Sequence, residues 1–459
     1  MASRSVRRSF RAHETTWLYG IVERNIGGCL SLAQRRSANG YGYPRFVERE
    51  FYKYLDCGML RCGFVRVQCG DCKHDKLVAF SCKGRGLCPS CTARRMSNTA
   101  AHLVDTVLPQ VPYRQWVLSF PRRVRFLLAK DAALLSAVLN MALRKLFAWQ
   151  RRATRRMGIN MPQTGAITFV QRFGSLLNLN VHFHSLLPDG VFQHVNNGVV
   201  FRPIPPPSGQ DIERLVLQIA RATEKLLKRN CEQSQPEEDL DQLTKEQAHS
   251  LRFQSAAAIS NVTPKTQRCA FLQGYSLHAE RIVLSDDREG LERLCRYGAR
   301  APIANSRLSL DEDGNAILEL KRRYFDGRTH LKLSQVELLQ KLAILMPPPW
   351  KNLTRYHGVF APNHQLRGDV VNVGRPTTPT EEASDSSNPK PPRALPWAML
   401  LRRVFAIDVL QCEKCEGRMK IIAIIPAGEA SNAILDHLDQ QTKAPPMATG
   451  PPPTLLPMT

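Results

Sequence analysis

Cys69-x-x-Cys72 is followed, after fifteen intervening residues, by Cys88-x-x-Cys91. Each pair sets two thiols on one tight turn, and the separation lets two such turns face each other and complete a tetrahedron around zinc. Gly70 and Pro89 fall inside the two turns, where turn-forming residues are needed. A zinc held by Cys69, Cys72, Cys88 and Cys91 has no open coordination position, so its role is structural. Cys82, Cys57, Cys62 and His74 are spare donors close by, which leaves open a second zinc or an alternative ligand set. Cys82 is the first alternative ligand, while Cys57 and Cys62 read equally well as ordinary buried thiols. Cys412-x-x-Cys415 is half a site. It either takes partners from elsewhere, in this chain or another, or is a plain turn.

Zinc thiolates need a reducing compartment. The N-terminus, Met-Ala-Ser-Arg-Ser-Val-Arg-Arg, lacks the apolar segment of a secretory signal. No stretch approaches the apolar run needed to cross a bilayer, so no membrane partner is expected. The expected location is the cytoplasm, at the nucleoid, where the 13 cysteines serve as ligands and buried thiols rather than disulfides. Lys and Arg number 64 against 40 Asp and Glu, a formal charge of +24. That excess calls for a polyanionic partner, nucleic acid before anionic membrane. A hydrophobic content of 43% excludes a disordered chain.

The 459 residues suffice for two to four domains of an α+β protein. Residues 1–97 read as a helical and zinc-binding domain. Residues 98–160 read as a basic helical connector, interrupted at Pro109, Pro112 and Pro121. From 161 the periodicity turns strand-like, opening a central domain of antiparallel strands and packed helices that runs to 368. Within it, 210–252 looks helical, 255–285 looks like short strands, and a helix is expected at 288–299. Residues 369–395 form a Pro/Ser/Thr linker, 396–442 a small unit with the last cysteine pair, and 443–459 a Pro-rich disordered tail.

Residues 177–184, Leu-Asn-Leu-Asn-Val-His-Phe-His, alternate strictly. Leu177, Leu179, Val181 and Phe183 fall on one strand face; Asn178, Asn180, His182 and His184 fall on the other. Two neutral imidazoles one residue apart can share a divalent cation, which polarises and orients a phosphate. Gln171, in the expected partner strand across the Gly174-Ser175 turn, is a third ligand candidate. A chance pair of histidines on an exposed sheet face would look the same.

The helix around 288–300 buries Leu291, Leu294, Cys295 and Gly298, and presents Arg293, Tyr297 and Arg300 on another face. Guanidinium groups grip phosphate, and a phenolate is a nucleophile at phosphorus. A surface helix with a half-packed tyrosine is the plain alternative. Tyr356, in Arg355-Tyr356-His357, is the rival nucleophile. Its neighbours Gly358 and Pro362 suggest a loop, and a helix fixes in-line attack better. Asn363 and His364 can touch phosphate or metal, or simply form a turn.

His182-Phe183-His184 upstream of a helix-borne Tyr297 resembles the rolling-circle transposases of bacterial insertion sequences, the insertion-sequence-ninety-one family. The likeness extends over nearly the whole chain. It includes Ser81-Cys82-Lys83 through Cys91, Arg114 to Pro121, Val170 to Gly174, Ile303 to Leu308 and Arg355 to His364. The resemblance implies an N-terminal zinc domain followed by a His-hydrophobe-His (HUH) nuclease domain. It implies cleavage of single-stranded DNA at element ends by Tyr297, leaving a 5′-phosphotyrosine and a free 3′-hydroxyl, with Mg²⁺ or Mn²⁺ on the histidines. Some members carry Tyr-x-x-x-Tyr, but here the first position is Arg293. In a single-tyrosine enzyme, successive cleavages need a second protomer in a homodimer, the freed 3′-hydroxyl, or reuse of Tyr297.

Two other readings share these features. A plasmid replication initiator or relaxase would use the same chemistry, and a non-catalytic zinc-ribbon DNA-binding protein would leave His182, His184 and Tyr297 replaceable. No carboxylate constellation supports an acidic two-metal transposase. DNA contacts are expected from Arg94 and Arg95 beside the zinc unit, with Lys83 and Arg85, from Arg122 and Arg123, and from Arg151 and Arg152 on the following basic helix. A solvated charged face is the alternative for each. Trp116, Phe120 and Trp149 read as core rather than base-stacking residues.

Overall fold

The computed structural model describes residues 16–196, 198–233, 263–324, 326–375 and 410–437. Helix α1 (Trp17–Arg36) is capped by Thr16, whose hydroxyl accepts from the Tyr19 amide, and packs on α2 (Arg45–Leu55). The hairpin β1 (Gly63–Cys69) and β2 (Asp75–Ala79) follows, and α3 (Pro89–His102) starts with proline at a position that needs no amide hydrogen.

Next come β3 (Tyr113–Ser119), α4 (Arg122–Lys130), α5 (Ala132–Arg155), β4 (Gly165–Phe173) and β5 (Leu179–Pro188). The hairpin β6 (Gly190–Val195) and β7 (Gly198–Pro203) leads to α6 (Gly209–Gln233). Four short strands, β8 (Thr263–Thr266), β9 (Cys269–Leu272), β10 (Tyr275–His278) and β11 (Ile282–Val283), precede α7 (Arg288–Gly298). A meander of β12 (Leu308–Leu310), β13 (Ala316–Glu319) and β14 (His330–Leu333) feeds α8 (Gln335–Leu345). The described chain closes with β15 (Thr354–Gly358), α9 (Arg367–Asn372), β16 (Met419–Pro426) and α10 (Glu429–His437).

The centre is an antiparallel sheet in the order β15-β4-β5-β3-β10-β9-β8, with β11 also on β3. Because alternate side chains point to opposite faces, Trp116, Leu118, Val170, Val181 and Phe183 form one face. They are buried under α4, α5 and α6. Ile167, Phe169 and Leu186 lie on the other face with Leu291, Leu294 and Cys295 of α7 and with residues of α3. A second core joins α1, α2, α8 and the β12–β14 meander, and reaches Phe173 and Leu177 at the β4–β5 turn.

Three expectations change. The connector at 98–160 is not a separate helical segment, because β3 lies between β5 and β10 at the heart of the sheet. Pro112 and Pro121 bracket a strand rather than break helices, and Trp116 and Leu118 are buried as its alternation requires. Second, α5 is long and apolar enough to span a bilayer. Its Leu134, Leu135, Val138, Leu139, Leu143 and Leu146 are instead spent on the core. Third, the C-terminal unit is not isolated, since β16 pairs with β1 from Gly63↔Pro426 to Cys69↔Met419. Of the expected linker, α9 covers the start; 376–395, the helical expectation for 234–252 and the tail at 443–459 lie outside the described residues.

Candidate active site and metal centres

The four cysteines expected to share one zinc do not meet. Cys57, Cys82, Cys88 and Cys91 converge in one cluster, and Cys69 and Cys72 lie in another, beside Cys412 and Cys415. The cause is the hairpin. Cys69 and Cys72 sit at its closed end, and β2 then carries the chain back to the open end, roughly 20 Å away along the seven residues of β1. Cys57 and Cys82 flank that open end. Cys62 and His74 belong to neither cluster.

In the first cluster the sulfurs of Cys57 and Cys88 are 3.7 Å apart, Cys57 and Cys91 3.6 Å, and Cys82 and Cys91 3.4 Å. Four thiolates at tetrahedral zinc, with Zn–S near 2.3 Å, stand about 3.8 Å from one another. The donor set therefore fits zinc with little movement. Cys88 is the N-cap of α3, and its sulfur accepts from the Cys91 amide at 3.4 Å. The helix N-terminus thus faces the thiolates, which lowers the cost of their charge. Cys57, Cys88 and Cys91 belong to the same apolar core as Phe173 and Leu177 near the β4–β5 turn.

The histidine strand is β5, and its partner is β4, with Gln171 directly opposite His182. Gln171, His182 and His184 therefore share one face, and all three are buried. Their ring and amide positions are set from behind. The Asn180 carbonyl, which can only accept, takes the Nδ1 hydrogen of His182 at 2.7 Å, leaving a lone pair on Nε2. Gln115 meets His184 Nδ1 at 3.0 Å, and a half-turn of its amide presents either an N–H or an oxygen there. His184 Nε2 and Gln171 Oε1 are buried with no hydrogen-bond partner. Such orphaned atoms are costly unless something binds them. Burial, with Arg300 and Arg125 adding, takes His182 down to about 4. Burial, with His182 and Arg300 adding, takes His184 down to about 3. Both imidazoles are neutral at pH 7, as ligation by nitrogen requires.

Tyr297 stands over this trio. Its ring is 5.7 Å from that of His184, and the two histidine rings are 4.8 Å apart. Helix α7 delivers it by burying the expected stripe of Leu291, Leu294, Cys295 and Gly298. Gly298 permits the approach, because a Cβ there would lie 2.5 Å from the Phe169 ring. The Gln171 amide donates to the carbonyls of Tyr297 and Gly298, each at 2.9 Å, so the helix end is tied to β4, the neighbour of the histidine strand. Tyr297 is 41% exposed, open to a macromolecular substrate.

Arg300 lies with its guanidinium 4.5 Å over the Tyr297 ring and 5.1 Å from that of Phe173. Lys321 Nζ is 5.7 Å from the same tyrosine ring. Burial pushes Arg300 down from its ordinary value; Tyr297 opposes this and Arg307 adds to it. Nε of Arg300 and of Arg307 have no partner. Arg307 and Lys321 were not singled out from sequence, since each sits in a separate connection between elements. The signals in the sequence are the basic Lys321-Arg322-Arg323 run and, for Arg307, its place in the family-like stretch Ile303 to Leu308. Arg293, by contrast, faces away into ion pairs with Asp287 and Glu289, at 3.6 and 3.3 Å.

Tyr356 is in β15, not a loop. It pairs with Ile167, roughly 13 Å along β4 from Gln171. Burial pushes its phenol up, with Arg367 opposing. His364 forms a turn, its Nδ1 accepting from the Leu366 amide at 3.2 Å.

Of the basic residues expected at DNA, Arg123 is instead ion-paired with the buried Glu224, which also accepts from Tyr275. Arg85 is engaged with the carbonyls of Pro348 and Lys351. Arg95, Arg122 and Arg152 are exposed, and Arg94 and Arg151 partly so. Arg151 and Arg152 belong to α5, on the face of the sheet opposite the histidines. Trp116, Phe120 and Trp149 are buried in the core.

Residues 165–367 match the family model of a transposase, and residues 32–120 match that of the transposase zinc-binding domain of insertion-sequence-ninety-one elements. Together the two matches cover more than half of the chain. The chain belongs to the insertion-sequence-ninety-one transposase family. No curated protein and no solved structure matches it. The zinc-binding match of this transposase contains Cys57, Cys82, Cys88 and Cys91, and its transposase match contains Gln171, His182, His184, Tyr297, Arg300, Arg307 and Lys321. A transposase acts on DNA, which accounts for the +24 charge.

Proposed function

We propose that this transposase cleaves and rejoins single-stranded DNA at insertion-element ends, with Tyr297 as the nucleophile. The observation that carries the reading is the placement of an exposed tyrosine over two buried, neutral histidines whose free nitrogens face the same side. His182 Nε2, His184 Nε2 and Gln171 Oε1 would hold a divalent cation. Mg²⁺ or Mn²⁺ there supplies polarisation and orientation of the scissile phosphate.

The rest of the chemistry belongs to the chain. Arg300, Arg307 and Lys321 crowd positive charge beside Tyr297, and a phosphate would relieve it. Arg300 also stacks on the tyrosine ring, so the group that binds phosphate orients the attacking phenol. Tyr297 Oη forms the bond to phosphorus, and the bond to the 3′-oxygen breaks. The phenol gives up its proton and the leaving oxygen gains one, yielding a 3′-hydroxyl and a 5′-phosphotyrosine. The phosphodiester is exchanged, not hydrolysed, so rejoining by the reverse attack needs no ATP. Arg293 sits one turn before Tyr297 and supplies no second nucleophile. A second cut then uses a second protomer, the freed 3′-hydroxyl or Tyr297 again.

The zinc unit at Cys57, Cys82, Cys88 and Cys91, which shares a core with the β4–β5 turn, would help to hold the histidine strand in place and offer Arg94 and Arg95 to the DNA backbone. The transposase match favours this reading over a non-catalytic zinc-ribbon protein, and over a replication initiator of the same chemistry. The test is incubation of the purified chain with single-stranded element-end DNA and Mn²⁺. Nicked DNA in wild type, lost with EDTA and in a His182→Ala/His184→Ala variant, is expected. Nicking that survives both treatments would refute the metal-assisted reading.

A further inference from the structure

We propose that Cys69, Cys72, Cys412 and Cys415 bind a second zinc ion, independent of the first, which clasps the C-terminal strand β16 onto the N-terminal hairpin. The transposase zinc-binding match ends at residue 120 and so contains only half of this donor set.

The four sulfurs lie within 4.8 Å of one another. Cys69 is 3.5 Å from Cys415, and Cys72 is 3.5 Å from Cys412. These separations are close to the roughly 3.8 Å of a tetrahedral zinc tetrathiolate. Each ligand pair comes from a turn of the same build. The amide of Cys69 donates to the His74 carbonyl at 2.9 Å, and the amide of Cys412 donates to the Gly417 carbonyl at 2.8 Å. In both, the first cysteine bonds to the residue five positions on. The residue after the second cysteine adopts the left-handed region in both, Lys73 at φ 60° and Glu416 at φ 60°. A non-glycine residue held there costs about 1 kcal/mol or more and needs something to hold it. The Lys414 amide points to the Cys412 sulfur at 3.4 Å. Two matched knuckles facing each other across a shared sheet make a closed site with no position for substrate.

The surroundings fit a clasp. The Gly70 amide donates to the Arg418 carbonyl at 3.1 Å, and Cys69 pairs with Met419 in the ladder. Lys76 and Glu413 form an ion pair at 2.5 Å across the same junction. Beside the cysteines the apolar support is small, Val67 and Met419 with the partly buried Val65 and Val78, while Phe64, Leu77, Ile425 and Leu435 form a second small cluster between β16 and the hairpin. Ile421, Ile422 and Ile424 of β16 remain exposed. Two small clusters of this size leave room for a crosslink to add stability, which zinc supplies when four thiols bind it and release four protons.

The test uses the full chain. Purified wild type is expected to hold two zinc ions in thiolate sites. Replacing zinc by Co²⁺ should give thiolate-to-metal absorption that saturates at two equivalents; this signal ignores any metal on the histidines. The Cys412→Ser/Cys415→Ser variant should saturate at one. Its β16 and Cys69–His74 amides should exchange hydrogen at least tenfold faster, with β4 and β5 unchanged. Saturation of wild type at one equivalent overturns the proposal, whatever the variant does. So does a variant that keeps two equivalents, or one that loses the second while β16 protection stays intact.

Discussion

The side-chain amide of Gln171 donates to the main-chain carbonyl of Tyr297 at 2.9 Å. One residue of β4, the strand paired with the histidine strand, therefore ties down the end of the helix that carries the proposed nucleophile. Its remaining oxygen is left facing the histidines. Positioning of the helix and the proposed ligation thus meet in a single side chain.

Gln171→Ala is expected to lose both. Two buried carbonyls at the helix end lose their donor, at about 1–3 kcal/mol. Cleavage should fall by roughly 100-fold or more as Tyr297 loses its placement. Chemical denaturation and single-turnover nicking measured on one preparation separate the two effects; an unchanged nicking rate would show that Gln171 does not position the tyrosine.

Gly298→Ala tests the close approach of α7 to β4. The added Cβ would meet Phe169 ring carbons at 2.5 and 2.6 Å, so the helix must lift. A loss of about 1–3 kcal/mol in stability is expected, as for other overpacked cores. Phe169→Leu in the same chain should restore part of it.

Arg300 is argued to hold both phosphate and phenol. Arg300→Lys keeps the charge but loses the planar stack, and about a 10- to 100-fold slower cleavage is expected, with Arg300→Ala slower still. Equal rates for the Lys variant and wild type would mean that charge alone matters there.

Acid should weaken the fold through buried neutral histidines. Burial, then Arg355, takes His357 down to about 4, and its Nε2 has no partner. In the unfolded chain a histidine binds its proton near pH 6.5, so stability is present above that value and lost as pH falls toward 4. Between pH 7 and 5.5 one such histidine removes about 1 kcal/mol. Urea midpoints for wild type and His357→Gln should converge over that interval; parallel pH profiles would exclude His357 as a contributor.

Much of the site could be seen in the sequence because strands and helices repeat locally. Alternation alone set His182 and His184 opposite Val181 and Phe183, and the stripe of Leu291, Leu294, Cys295 and Gly298 set the face of α7. What failed depended on tertiary geometry. Spacing could not show that β2 carries Cys88 away from Cys72, or that Cys412 and Cys415 return to Cys69. Charge could not show that Arg123 is used by Glu224, and separate connections hid the meeting of Arg300, Arg307 and Lys321. Prolines marked the ends of β3, but a proline at a strand end and one at a helix break look alike.

Tyr297 Oη is the proposed nucleophile, which takes the 5′-phosphate of the cleaved strand. The most direct measurement is mass spectrometry of the protein after reaction with single-stranded element-end DNA, nuclease digestion and proteolysis. A nucleotide linked through 5′-phosphate to the peptide containing Tyr297, absent in Tyr297→Phe and retained in Tyr356→Phe, is the predicted result. A linkage at Tyr356, or an adduct that persists in Tyr297→Phe, would contradict it.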